Sequence, residues 1–363
     1  MTRQVPTRPR SIVFLGSAHD NGGTSILASG LAEAMRVQGH HVEEWYLFGS
    51  KGDLPAGAYI FEPGPRSRSP RVLSRLFNRL VAALRQHKPD VLFGLQPLSN
   101  ILVGVAGRIA GVSHRIPTYH GPRDWVNPTF VAVDTLINAL GFYTQMVACA
   151  NSVAASFKRK DIAVVVNGQS VPQSFSPGEA RAALGLPMEG FLLGQLGRLS
   201  HQKNQRFTLE LLQQLPEASL VLVGIGPDER EIRSQIKASG LEHRVRIIPS
   251  ITHNRIGVFF SAVDLVLFPS RYEGLSLAAI EAIHAGVPPL CSDIPSFHEM
   301  FDSSPVLSAE LVLPTSDASA WLARIRDLLR DKALYRQVVV ELARLSPSYR
   351  FETMAQKYLR LLD

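Results

Sequence analysis

The sequence predicts an α/β protein of two Rossmann-like halves, each built on a mostly parallel sheet. Three observations carry this. Short apolar runs ending in glycine or a polar residue alternate with stretches of helical period along most of the chain, the pattern of strand–helix units. The pattern halts near residues 168–180 and restarts with a new glycine-terminated run. The length, 363 residues, exceeds what one hydrophobic core ordinarily reaches.

The first half opens on Ser11-Ile-Val-Phe-Leu-Gly16, a strand ending in glycine. Asn21-Gly22-Gly23-Thr24 reads as a Gly-rich turn, and residues 25–38 carry helical period and close in Gly39, the start of a nucleotide-binding half. Further strands are expected at 41–47, 89–94, 115–119, 146–149 and 162–166, with helices over 97–110, 129–142 and 152–158. In the second half, strands are expected at 191–197, 219–223, 245–248, 265–268 and 288–291. Helices over 178–183, 207–215, 229–239, 255–262 and 275–285 separate them. The tail, 333–362, reads as helices with a break at Ser346-Pro347-Ser348. The expected domains are 1–172 and 173–345, with 346–363 a C-terminal helix returning to the first. A protein of two such lobes binds its ligand in the cleft between them, at the carboxyl ends of the strands. Polar residues just after strand ends are therefore the candidates for function.

Composition narrows the class. With 45% hydrophobic and 19% charged residues, wholesale disorder is excluded. Cys149 and Cys291 stand far apart with no CxxC pair, so no zinc or redox motif is present and a reducing compartment is expected. No apolar stretch of signal-peptide length precedes Gly16, and the stretch 258–268 is short and broken by Ser261 and Asp264. The expected location is cytoplasmic. A net charge of +7 points to anionic partners. Its local source is residues 66–88, which contain no acid. There Arg71, Arg75 and Arg79 recur at i, i+4, while Val72, Leu76, Leu80 and Leu73, Phe77, Leu84 form adjoining apolar rows. This basic amphipathic helix is either a domain helix with a wet arginine face or an attachment to an anionic membrane surface. No stacking-aromatic or recognition motif accompanies the charge, so specific nucleic-acid binding is not expected.

Three segments of the second half follow strand ends. The first is Gly197-Arg198-Leu-Ser-His-Gln-Lys203-Asn204, and the second is Gly224-Ile-Gly226-Pro227. The third, Pro269-Ser-Arg-Tyr-Glu273-Gly274-Leu275-Ser276-Leu277-Ala-Ala-Ile-Glu281, holds the most chemistry. The N–H groups of Gly274 to Leu277 open a helix, where unsatisfied donors and the dipole favour an anion such as a diphosphate. Glu281, four residues past Leu277, shares its face and is placed to reach a ribose; Glu273 is placed to reach a sugar. Arg198 and Lys203 then form a cationic clamp for charge developing on a departing phosphate. No Asp-x-Asp metal motif occurs, so no metal and no cofactor is expected. Gly224-Ile-Gly226 lacks the third glycine of a dinucleotide fingerprint, and there is no Walker A sequence.

In this order, Gly197-Arg198…Lys203-Asn204, Glu273-Gly274…Glu281-Ala282…Gly286-Val-Pro288 and Glu299 resemble the signature of glycosyltransferase family 4. Glu273 and Glu281 match its Glu-x7-Glu pattern. Asn167-Gly168 with Phe175-Ser-Pro177 is similar to its hinge, and Gly22-Gly23 and His120-Gly121 to features of its first domain. The resemblance implies a GT-B fold, two Rossmann-like domains with an interdomain cleft, and a retaining transferase using a UDP- or GDP-sugar. It further implies that Arg198 and Lys203 bind the diphosphate, Glu273 the sugar and Glu281 the ribose, with His120 near the reaction centre. Gly22, Gly23, Gly224, Ser250 and Ile251 complete the expected donor contacts. The expected acceptor is a glycan or lipid-linked glycan. A nucleotide-sugar 2-epimerase or a donor-binding subunit without turnover shares most of these features. Two departures touch other places: the first turn reads Gly22-Gly23-Thr24-Ser25 rather than Gly-Gly-x-Glu, and the hinge reads Asn167-Gly-Gln-Ser170 rather than Asn-Gly-x-Asp.

Overall fold

The computed structural model describes residues 8–18, 23–49, 58–67, 69–157, 159, 161–252 and 255–362. The chain divides into two compact units, Met1–Gly168 with Phe351–Asp363, and Gln169–Arg350.

The first unit is β1 (Ser11–Ala18), α1 (Gly23–Val37), β2 (His41–Gly49), β3 (Tyr59–Pro63), α2 (Pro70–His87), β4 (Val91–Gly94), α3 (Pro97–Ala110), β5 (His114–Tyr119), α4 (Pro128–Ala139), β6 (Met146–Ala148), α5 (Asn151–Ser156) and β7 (Ile162–Val164). Its seven parallel strands run in the order β3-β2-β1-β4-β5-β6-β7. The interior of β1 and the whole of β4 are buried, the mark of parallel strands covered on both faces. The second unit comprises α6 (Pro177–Leu184), β8 (Phe191–Leu196), α7 (Gln205–Gln213), β9 (Ala218–Val223), α8 (Glu229–Ala238), β10 (Val245–Ile248), α9 (Ile256–Ala262), β11 (Leu265–Phe268), α10 (Leu277–Ala285), β12 (Pro289–Ser292), α11 (Pro295–Phe301), α12 (Pro305–Leu311), β13 (Val312–Leu313), α13 (Ala318–Arg330) and α14 (Lys332–Leu345). Its strands run β10-β9-β8-β11-β12-β13. Finally α15 (Phe351–Arg360) rejoins the first unit, where Phe351 packs so closely on Gly30 of α1 that a Cβ there would lie 2.2 Å from the ring.

Each sheet reverses direction once: the strand order turns between β1 and β4 in the first unit and between β8 and β11 in the second. Such switch points leave a crevice at the carboxyl edge where ligands bind.

Several expectations change in detail. The edge strand β3, the helices α11 to α13 and the short β13 were not anticipated. α4 ends at Ala139 rather than 142, because Gly141 turns left-handed at φ 70°. α10 begins at Leu277 rather than 275, because Ser276 caps it by accepting from Ala279 N. The units part at 168/169 and 350/351 rather than at 172/173 and 345/346. The helix α2 is a core element: Leu76, Leu80 and Leu84 are buried, and Val72, Leu73 and Phe77 pack against the same cluster as Val13, Trp45 and Phe61. Its apolar rows are therefore unavailable for insertion into lipid. Two of its three arginines are also engaged. Arg75 makes a two-pronged pair with Glu62 at 2.9 and 2.8 Å, and Arg79 reaches the same carboxylate at 3.2 Å.

Candidate functional site

In the second unit the loops after β8 and β11 are sewn together at the switch point. Arg271 N donates to Gln202 O at 2.8 Å, Asn204 Nδ2 to Pro269 O at 3.2 Å, and Gln202 Nε2 to Tyr272 O at 3.0 Å. Lys203 Nζ thereby lies 2.5 Å from Glu273 Oε1, and the same oxygen accepts from Ser270 Oγ at 2.7 Å. Both members of this ion pair are largely shielded, with side chains 16% and 7% exposed. The lysine expected in the clamp is thus paired with the glutamate expected to meet the sugar.

The loop after β8 is held against the loop after β9. Gly197 N donates to Val223 O, and Leu199 N to Ile225 O. A Cβ on Gly224 would sit 2.1 Å from Gly197 O, so only glycine permits the approach. Arg198 is exposed, while its carbonyl accepts from Gln205 Nε2 at 3.0 Å. The structure therefore fixes the arginine's backbone at the switch point. Gly274, Leu275 and Ser276 are buried in the turn before α10, and Glu281 is buried on the helix. Burial pushes the Glu281 carboxyl up to about 8, so the acid is mostly protonated at neutral pH. Ser250 is exposed and Ile251 half-buried in the loop after β10. Ser270 and Gln202, which hold Glu273 and its loop, were not singled out from the sequence. Ser270 stands two residues past the end of β11, the one signal that marks it.

In the first unit, Gly23 begins α1, while Gly22 lies outside the described residues. The end of β1 is tied to the start of α3 and the residue before it: Ser17 N donates to Gln96 Oε1 at 2.9 Å and Ser99 N to Ser17 Oγ at 3.2 Å. His120 follows β5. Its Nε2 lies 2.9 Å from Thr118 Oγ1, whose own proton goes to Gly94 O at 2.6 Å. A hydroxyl has one proton, so Nε2–H must donate to Thr118, leaving Nδ1 as a bare acceptor. Burial lowers the His120 pKa to about 4, so the ring is neutral; Asn167 beside it offsets this only in part. Neither His120 Nδ1 nor Asn167 Oδ1 makes an aligned hydrogen bond among the described residues.

A cavity of about 230 Å³ opens at this histidine, walled by Leu95, Tyr119, Trp125, Phe130, Val131 and Phe157, with Thr24, Asn100 and Asp134 among its polar residues. Gly121 allows the Trp125 indole to close one side: a Cβ there would lie 2.7 Å from the ring. Asp134 accepts from Tyr119 OH at 2.9 Å and Tyr143 OH at 2.7 Å, and burial raises its pKa.

Comparison with known proteins bears on both units. The family described as Glycosyltransferase Family 4 matches residues 21–169, and that described as Glycosyl transferases group 1 matches residues 178–344. A 2-deoxystreptamine glucosyltransferase of Streptomyces kanamyceticus is 28% identical over 213 residues, covering 53% of this chain and 54% of that one. The lipopolysaccharide core biosynthesis mannosyltransferase LpsB of Rhizobium meliloti (strain 1021) is 31% identical over 135 residues, 35% of this chain and 38% of that one. The chain thus spans about half the length of the first of these relatives and less of the second. Among solved structures, sucrose-phosphate synthase from Thermosynechococcus elongatus superposes with TM-score 0.80 at 22% identity, covering 97% of this chain and 98% of that one. Anabaena Alr3699/HepE, in complex with UDP and glucose, gives 0.81 at 20% identity, covering 97% and 99%. At these identities the solved structures speak for the fold alone, which is GT-B.

Proposed function

The chain belongs to glycosyltransferase family 4, and from that premise we propose that it is a retaining, metal-independent transferase. In this reading it moves a hexose from a UDP- or GDP-sugar to a glycan or lipid-linked glycan acceptor of polysaccharide or cell-envelope biosynthesis. The observation that supports it most is the meeting of Lys203, Glu273 and the start of α10 at the β8–β11 switch point. A mannosyltransferase of lipopolysaccharide core biosynthesis among the relatives agrees with an envelope acceptor. The UDP and glucose in the Anabaena structure agree with the donor class.

The diphosphate lies against the N–H groups of Gly274 to Leu277, where the helix start favours an anion. Lys203 exchanges Glu273 for a phosphate oxygen, and Arg198 swings in from solvent. The released Glu273 carboxylate, still held by Ser270, accepts from sugar hydroxyls. Glu281 meets the ribose, Gly23 and Gly224 bring backbone close to the donor, and Ser250 and Ile251 border the base. The anomeric C–O bond to the β-phosphate breaks as the acceptor oxygen bonds to the same face of that carbon. The acceptor's proton passes to the departing phosphate oxygen, so no protein nucleophile is required. His120, neutral and fixed in one tautomer, orients hydroxyls near the reaction centre. Cationic side chains do the work that a divalent ion does elsewhere, stabilising charge that grows only in the transition state. The enzyme then works at the cytoplasmic face of a membrane, with the arginine face of α2 drawn to anionic lipid. No helix among the described residues is long and apolar enough to cross one.

The test is transfer from a panel of UDP- and GDP-hexoses in EDTA, with the product anomer read by NMR. Retention with unchanged rate in EDTA is expected. An inverted product, or activity lost to EDTA and restored by Mg²⁺ or Mn²⁺, contradicts the reading.

A further inference from the structure

The loop after β8 ends on an uncommon backbone. Among the described residues two outside glycine have positive φ, Lys88 and Asn204. Lys88 closes α2, where a left-handed residue is ordinary. Asn204 opens α7 at φ 54° and ψ 43°, although a helix is normally entered through extended backbone, and its side chain makes no capping bond. Left-handed backbone in a residue other than glycine costs about 1 kcal/mol and lasts only where its surroundings enforce it. Here the buried Asn204 amide reaches across to the loop after β11, donating to Pro269 O at 3.2 Å and accepting from Arg271 Nη2 at 3.3 Å. The N–H groups of Lys203 and Asn204 both turn back to Ser200 O.

The carbonyl of Lys203 is met by a buried side chain, Gln195 Nε2 at 2.7 Å. Gln195 stands against the apolar logic of β8, Phe191-Leu-Leu-Gly-Gln-Leu196: it is 3% exposed in a strand flanked by β9 and β11. A buried amide has to satisfy both its groups. The Lys203 oxygen only accepts, so it faces the amide NH₂, and Oε1 is left to accept from Thr208 Oγ1 of α7 at 2.8 Å. Thr208 is fully buried. The other cation of the clamp is held in the same manner. Gln205, 2% exposed, donates to Arg198 O at 3.0 Å and accepts from Ser200 N at 3.3 Å. An apolar side chain would fill either place without the cost of desolvating an amide. What the two glutamines add is a fixed backbone at the two residues expected to bind phosphate.

Resting on the transferase reading, we propose that Gln195, oriented by Thr208, is a positioning residue for Lys203. It fixes the lysine's peptide so that the amine reaches Glu273 and, with donor bound, the diphosphate. A long side chain magnifies any tilt of its backbone, and a misplacement of about 1 Å in a working site costs up to about 10²-fold.

Two readouts on the full chain test this. The first needs no nucleotide: acetylation of Lys203 by acetic anhydride, followed by mass spectrometry, with exposed Lys332 as reference. In the wild type the amine paired with Glu273 should react slowly. Gln195→Met, and Thr208→Val, which leaves the amide unheld, should raise the rate about threefold or more, while Thr208→Ser keeps the wild-type rate. The second is titration of UDP and GDP against uridine and guanosine. Gln195→Met and Thr208→Val should bind the preferred diphosphate about tenfold more weakly or worse. Their nucleoside affinity should be unaltered, which also shows that they are folded, and Thr208→Ser should bind like the wild type. Lys203 reacting alike in every variant, or diphosphate and nucleoside affinities falling together, overturns the proposal. So does equal weakening in Thr208→Val and Thr208→Ser, the mark of a packing defect. A wild type that binds neither nucleotide defeats the transferase reading instead, and the acetylation rates still decide whether Gln195 sets the lysine.

Discussion

Replacing Lys203 with alanine should have two consequences that can be separated. The first concerns stability. Glu273 is left with a shielded carboxylate whose counter-ion is gone, and removing one partner of a buried pair costs about 3–5 kcal/mol. The Ser270 hydroxyl still donates to Glu273 Oε1 at 2.7 Å, which places the loss at the lower end, about 3 kcal/mol. For a unit of this size that is a fall in Tm of roughly 6–12 °C. The second consequence is catalytic. Without the lysine, charge on the departing β-phosphate loses a fixed cation, and turnover should fall about 10²-fold. Adding Glu273→Gln to Lys203→Ala removes the stranded charge. Calorimetry should then show most of the stability restored, while initial rates with UDP- or GDP-hexose stay low or fall further. Two results would refute the reasoning. Unchanged stability in the single variant means the ion pair contributes nothing, and turnover regained in the double variant means the lysine serves only to satisfy Glu273.

Two further predictions concern charge. Burial holds the Glu281 pKa near 8 against an ordinary 4.5, so the folded protein keeps a proton that the unfolded chain releases. Its stabilising contribution is therefore full below pH 4.5 and lost as pH rises through 8, a decline of order 3 kcal/mol or more that Glu281→Gln should abolish; an identical pH profile in the variant contradicts this. On the basic face of α2, Arg71→Gln should weaken binding to anionic vesicles by about 1 kcal/mol. Arg75→Gln should weaken it no more than that, because Arg75 is already paired with Glu62; sedimentation indifferent to lipid charge would sink that idea.

How much of this was legible in the sequence depended on the range of the interaction. Strand ends such as Leu196 and Phe268 announced themselves through apolar runs closed by glycine or proline, so the loops bearing Arg198, Lys203 and Glu273 were found in advance. The Lys203–Glu273 bond itself joins residues 70 apart, and nothing local reports it. The two faces of α2 followed from periodicity. The burial of its apolar rows depended on neighbouring strands, and the engagement of Arg75 and Arg79 depended on Glu62 in the unanticipated β3. That strand is five residues at a sheet edge. The inward turn of Asp134 on α4 was hidden because its partners, Tyr119 and Tyr143, lie outside the helix. The cavity at His120 exists only once β4, β5 and α4 are assembled.

The account stands on the switch-point lysine and helix start holding a pyrophosphate together. Isothermal titration of UDP and GDP into the wild-type chain, and into Arg198→Ala with Lys203→Ala, measures this directly. The wild type should bind one of the two nucleotides, and the doubly substituted protein should bind it at least a hundredfold more weakly while uridine or guanosine binding is unaltered. Equal affinity of both proteins for the diphosphate would contradict the site as described.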